Sequence, residues 1–183
     1  LSLHDALPIS GIYVCDPKIF DYIPENIQYD FAKDVFPKLM SMGSDISGFL
    51  VYGEWTDVGN PAAYRAAQRW MLASLTGTSI LGSFNTKNAR INGPLKIENN
   101  VMVGSNSSLV GPIVIGENTE IGDNVLIGPY TVIGSNCVIE NNARVLSSYI
   151  FNDVKIGQNT NVSGAVIDNS VRIGQNVSLE NGT

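Results

Sequence analysis

The chain has 183 residues, 44% of them apolar and 15% charged, with a formal net charge of −6. That length holds one large domain or two modest ones around a real core. The acidic balance, with no run of Lys or Arg, lacks the electrostatic footprint of a nucleic-acid or anionic-lipid binder, so no nucleic-acid partner is expected.

No apolar stretch approaches the roughly 18 residues of a membrane-spanning helix, and Leu1 to Ser10 has neither the basic start nor the apolar run of a secretory signal. No membrane association is expected and the default compartment is cytoplasmic. Residues 1–9 read as a foreign leader. Cys15 and Cys137 have no metal-ligand or disulfide-framework spacing and read as small buried hydrophobes.

Residues 10–76 alternate in character. Gly11 to Cys15 is a short apolar run of β type. Asp16 and Pro17 then supply the N-cap and first residue of a short helix through Tyr22 and Ile23. Pro37 is tolerable only in a first helical turn, which predicts a second helix from Asp34 to Met42 with Val35, Phe36, Leu39 and Met40 on its apolar face. Ile46 to Tyr52 is another strand candidate. Asn60 and Pro61 cap a longer helix whose Tyr64, Ala67, Met71 and Leu75 share a stripe, and Gly77 can end it. The alternation implies an α/β domain, yet about 65 residues are too few to cover both faces of a parallel sheet, so part of that domain is expected upstream.

Between strand and helix lies Gly53-Glu54-Trp55-Thr56-Asp57-Val58-Gly59-Asn60-Pro61. Asp57 is a carboxylate where α/β sheets bind ligands, and it could hold Mg²⁺ against phosphate oxygens. The competing reading is an aspartate that serves a turn or cap. Residues 77–90 read as a linker.

From Ile91 the chain repeats. Aliphatic residues recur every six positions from Ile91 to Val145, slip by one residue at Ile150, and slip again at Ile167 before continuing to Ile173 and Leu179. Two positions earlier sits a small or β-branched residue such as Val101, Thr119, Val125, Cys137 or Ala143, as expected when a short strand points alternate side chains inward. Gly commonly follows the aliphatic, and Asn comes two steps later, both residue types that tolerate positive φ at corners. Strand and corner within six residues cannot form hairpins. Such a chain coils, and three units per coil close a triangular prism. An antiparallel sandwich would instead need turns every 8 to 12 residues. The chain stops at Thr183 within a repeat, so truncation is expected.

This pattern resembles the left-handed hexapeptide β-helix family, and the handedness comes from that resemblance. Gly11-Ile12-Tyr13-Val14, the run from Asp30 to Leu39, and Trp55-Thr56-Asp57-Val58-Gly59-Asn60 with Tyr64 and Ala67 resemble the C-terminal third of a sugar-1-phosphate nucleotidyltransferase domain. Val58-Gly59-Asn60 is most similar to mannose-1-phosphate guanylyltransferases. The fold implied is an α/β fragment, part of a Rossmann-like nucleotidyltransferase domain, followed by an all-β left-handed parallel β-helix over 91–183. By the same resemblance Asp57 matches a catalytic, Mg²⁺-ligating aspartate, and Gly11 opens the strand lining the sugar pocket. The substrates implied are a nucleoside triphosphate, GTP favoured, and a sugar 1-phosphate. An asparagine usual just before that strand would fall near Ile9, within the leader.

Two other readings compete. One is a non-catalytic regulatory or assembly subunit of the same plan. The other is a hexapeptide acyltransferase, which needs a histidine as general base. The sequence's single histidine is His4, outside the repeat. Open coil ends lead to the expectation of a homo-oligomer.

Overall fold

The computed structural model describes residues 12–50, 52–86 and 88–181. Contacts divide the chain into two units, 1–55 and 56–183. Gly11 and the leader lie outside the described residues.

In the first unit, Asp16 caps a 3₁₀ helix, Pro17–Tyr22, by accepting from the Lys18 N–H at 2.9 Å. The second helix starts earlier than Pro37 alone would allow. Asp30 accepts from the Ala32 and Lys33 amides at 2.8 and 2.9 Å. A π-type turn, Phe31–Val35, then runs into helix α1, Phe36–Ser41. The wider turn ahead of Pro37 accommodates its missing N–H. Val35 is the buried member of the expected apolar face, whereas Met40 is exposed. Tyr13, Phe31 and Phe36 form an aromatic cluster, with Tyr13 edge-on to Phe36 at 4.9 Å.

Neither strand expected here forms among the described residues: 12–16 and 44–50 have no regular structure. A strand exists only through bonds to a neighbour, and none is present beside them. Phe49 and Leu50 are consequently exposed. Cys15 is exposed too, contrary to its reading as a buried hydrophobe.

The second unit begins with the loop that bears Asp57 and with helix α2, Pro61–Ala73. Asn60 is its N-cap, in extended conformation, accepting from the Ala63 N–H at 2.9 Å. Its buried stripe runs through Leu72, with Tyr64, Gln68 and Leu75 half-buried. Met71, expected there, faces solvent at 57% exposure.

The rest of the unit is a parallel β-helix of three six-stranded sheets. The first face stacks Thr78–Ile80, Leu95–Ile97, Ile113–Ile115, Thr131–Ile133, Tyr149–Ile150 and Val166–Ile167; the second and third begin at Phe84–Thr86 and Arg90–Asn92. The supposed linker 77–90 therefore already carries the first coil. Pairing is in register, so identical slots stack: Ile97, Ile115, Ile133, Ile150 and Ile167 on the first face, and Leu109, Ile127, Val145 and Val162 on the third.

These aliphatics form one continuous core. Ile91, at the end of its stack, is 40% exposed. The sequence slips fall at corners, where Ser147 and Gly164 take φ of 47° and 65°.

The residues two places earlier also point inward. Where they are polar they bridge coils: Thr119 Oγ1 donates to the Gly134 carbonyl at 2.8 Å and accepts from the Cys137 N–H at 3.2 Å. Ser107 does the same between the Gly122 carbonyl and the Val125 N–H. No buried side-chain donor or acceptor among the described residues is left unpaired, which such a core requires.

The corners separate the roles of Asn and Gly. Asn100, Asn118 and Asn136 hold φ of 56°. Their amides form a ladder, Asn100 Nδ2 donating to Asn118 Oδ1 at 3.2 Å and Asn118 Nδ2 to Asn136 Oδ1 at 3.3 Å. Most of the repeat glycines do not use positive φ. A Cβ on Gly104 would stand 2.5 Å from the backbone of Gly122 in the next coil, so close approach demands glycine there.

Candidate functional site

Asp57 lies on irregular chain three residues ahead of Asn60, exposed to solvent. Gly53 sits at φ +134°, a conformation that side chains rarely adopt. Among the described residues no hydrogen bond holds residues 54–59, so the capped start of α2 is what fixes their exit.

That helix is anchored to the first face of the β-helix. Tyr149 Oη donates to the Arg65 carbonyl at 3.2 Å. Tyr64 meets Tyr149 and Phe151 edge-on, with ring centroids 6.0 and 6.1 Å apart, an arrangement that complements the ring quadrupoles. The Arg69 guanidinium lies 4.0 Å over the Tyr130 ring. Burial pushes the Tyr64 and Tyr149 phenols up, partly offset at Tyr64 by the Gln68 hydrogen bond. Both stay neutral at physiological pH, Tyr149 donating to the Arg65 carbonyl and Tyr64 accepting from Gln68 Nε2 at 3.0 Å.

Sequence reasoning missed this contact because the six-residue period treats Tyr149 as one more outward slot. Its stack neighbours there are Val132 and Val166, and an aromatic between two valines was the available signal.

Between Gly53 and Asn60 the described residues carry two carboxylates, Glu54 and Asp57. No group of three His, Cys, Asp or Glu gathers among the described residues. Asp57 is a hard oxygen donor with open surroundings, which fits one ligand of a cation that keeps most of its waters, as Mg²⁺ does. Gly11, expected at a sugar pocket, lies outside the described residues.

On the second face a shallow groove of about 600 Å³ runs past Met102, Glu120, Val138 and Glu140. Glu140 is engaged by Lys155 at 2.6 Å. That hydrogen bond, and the Gln158 amide, hold its carboxyl below the usual range.

The fold and loop define a parallel β-helix protein preceded in the chain by short capped helices. Residues 79–183 match the family described as the EIF2B subunit epsilon LbH domain, and the chain belongs to that family of left-handed β-helices. Residues 5–74 match the family described as Nucleotidyl transferase. A UTP–glucose-1-phosphate uridylyltransferase of Synechocystis is 34% identical over 117 residues, covering 56% of this chain and 30% of the relative. A probable mannose-1-phosphate guanylyltransferase 3 of Arabidopsis thaliana is 32% identical over 83 residues, covering 40% and 24%. The chain thus spans less than a third of either relative.

Among solved structures, the Bacillus cereus BC4754 gene product aligns with a TM-score of 0.44 at 20% identity, over 56% of this chain and 77% of that one. The resemblance to sugar-1-phosphate nucleotidyltransferases followed by a hexapeptide β-helix is borne out. No helix among the described residues is long and apolar enough to cross a membrane.

Proposed function

We propose that the chain works within a sugar-1-phosphate nucleotidyltransferase, contributing one side of the phosphate-handling cleft and a β-helix that mediates self-assembly. The observation that carries this is continuity: a nucleotidyl transferase match over 5–74 leads directly into the β-helix match over 79–183, in the same chain order as the resemblance first read from the sequence. In the reaction, an oxygen of the sugar phosphate attacks the α-phosphorus of a nucleoside triphosphate. A new phosphorus–oxygen bond forms, the bond to the bridging oxygen breaks, and pyrophosphate leaves. Mg²⁺ supplies charge neutralisation for the phosphates when bound. Asp57 is the carboxylate from this chain that holds it, and Gly11 begins the segment that faces the sugar.

The favoured pair is GTP and mannose 1-phosphate, on the Val58-Gly59-Asn60 ending. The two relatives divide between uridylyl and guanylyl transfer, so a panel of GTP and UTP with mannose and glucose 1-phosphates decides the base and sugar. Residues 1–183 alone are expected to release no pyrophosphate, since they carry no Gly-rich triphosphate cradle. In the full-length enzyme, Asp57→Asn is expected to fold normally and to lose turnover by roughly a hundredfold or more, the equivalent of the several kcal/mol a metal contributes. Activity within a few-fold of wild type would remove Asp57 from the metal site.

A second reading, a non-catalytic assembly subunit, is favoured by the β-helix match, whose description names a subunit. An intact Gly-rich loop in the full-length sequence supports the enzyme, and its loss supports the subunit.

A further inference from the structure

The β-helix does more than stack. We infer that Tyr149 is a positioning residue for the Asp57 loop, acting through α2. This rests on the reading of Asp57 as a metal ligand and adds a role for the β-helix in that site.

The geometry runs in one line. Tyr149 belongs to a strand held on both sides, paired with Val132 in one coil and Val166 in the other. Its ring is almost wholly buried, and its hydroxyl reaches the Arg65 carbonyl in the first turns of α2. Tyr64, adjacent to Arg65, packs edge-on against the same ring. One turn further, Arg69 covers Tyr130. The helix is therefore gripped at Tyr64 and Arg65, in the half that begins at the Asn60 cap, and again one turn on at Arg69.

Asp57 is three residues beyond that cap, a tether of about 10 Å at full extension. With no hydrogen bond on residues 54–59 among the described residues, the position of the cap sets the space Asp57 can explore. Mg²⁺ accepts ligands only near 2.1 Å with strict octahedral geometry. A shift of the cap by about 1 Å is therefore enough to weaken ligation and slow a reaction that depends on placement, by up to a hundredfold. Tyr149 acts on the helix backbone rather than on a side chain, so the contact constrains position without depending on which residue occupies 65.

The test uses the full-length enzyme with Tyr149→Phe, Arg69→Ala and the double variant, and follows pyrophosphate release against Mg²⁺ concentration. Tyr149→Phe keeps the ring and its packing, which guards against failure to fold. The expected result is a rise of about tenfold in the Mg²⁺ concentration for half-maximal rate in the double variant. The triphosphate KM at saturating Mg²⁺ and the melting temperature should stay near wild type. Hydrogen exchange should quicken at the amides of 62–69 and not in the strands. A metal requirement unchanged in all three variants overturns the inference. Asp57→Asn run alongside separates the two readings: if it is active, the metal assignment fails; if it is inactive while the Tyr149 and Arg69 variants keep the wild-type Mg²⁺ curve, only the positioning role fails.

Discussion

Replacing Ile127 by aspartate tests whether the stacked aliphatics carry the fold. Ile127 is fully buried and paired between Leu109 and Val145 on the third face. Removing its side chain forfeits about 1.5–3 kcal/mol of burial. An aspartate in its place finds no cationic partner and must either stay charged, at several kcal/mol, or take up a proton. The total, on the order of 5 kcal/mol, matches the whole stability of many domains. Because each coil touches only its neighbours, a lesion in mid-stack also uncouples the coils on either side of it. Ile91→Asp is the control, since that side chain is 40% exposed at the end of its stack; about 1 kcal/mol or less is expected. Ile127→Val, which removes one methylene, should cost about 1 kcal/mol. Urea titration followed by far-ultraviolet circular dichroism gives the midpoints. Ile127→Asp should be unfolded or strongly shifted, Ile127→Val intermediate, and Ile91→Asp near wild type. Equal midpoints for Ile127→Asp and Ile91→Asp would refute the stacking argument.

Two other measurements probe side chains on the same coils. Glu140 has its carboxyl held low by Lys155 in the fold, so the pair stabilises above the unfolded carboxyl range and that contribution is lost as pH falls through the lower folded value; the melting-temperature gap between wild type and Glu140→Gln should narrow on acidification, and a gap that widens would contradict the ion pair. Cys15 is exposed while Cys137 is buried, its thiol pushed up by burial, so a thiol reagent should titrate one cysteine quickly in the native protein and the second only on unfolding. Two fast equivalents would place Cys137 at the surface.

The β-helix was legible because its period leaves little choice: a branched residue every sixth position and Asn at the corners specify coil, face and register together. Its first coil was not, since Thr86 fills an aliphatic slot and the spacing breaks between Thr86 and Ile91. The corner glycines were found for an incomplete reason, since backbone approach between coils leaves no trace in a single repeat. The local signals of Asp16 in the first unit and of Asn60 in the second gave real caps. Ile46 to Tyr52, which depends on a distant neighbour, did not become a strand among the described residues. The loop at Asp57 was visible as composition and chain order, while its coupling to Tyr149 depends on tertiary contact across 84 positions. The hydrophobic stripe of α2 was placed one residue off, at Met71 instead of Leu72, because both satisfy a helical spacing from Tyr64 within half a turn.

Six strands on each face, spaced as in any sheet, make the solenoid about 24 Å long along its axis. Duplicating or deleting a whole coil beyond the Tyr149 level would lengthen or shorten this rod in steps of about 4.8 Å and leave the seat of α2 untouched. Evolution could thus tune the reach of the β-helix as one adjusts a ruler, without disturbing the contacts that hold α2.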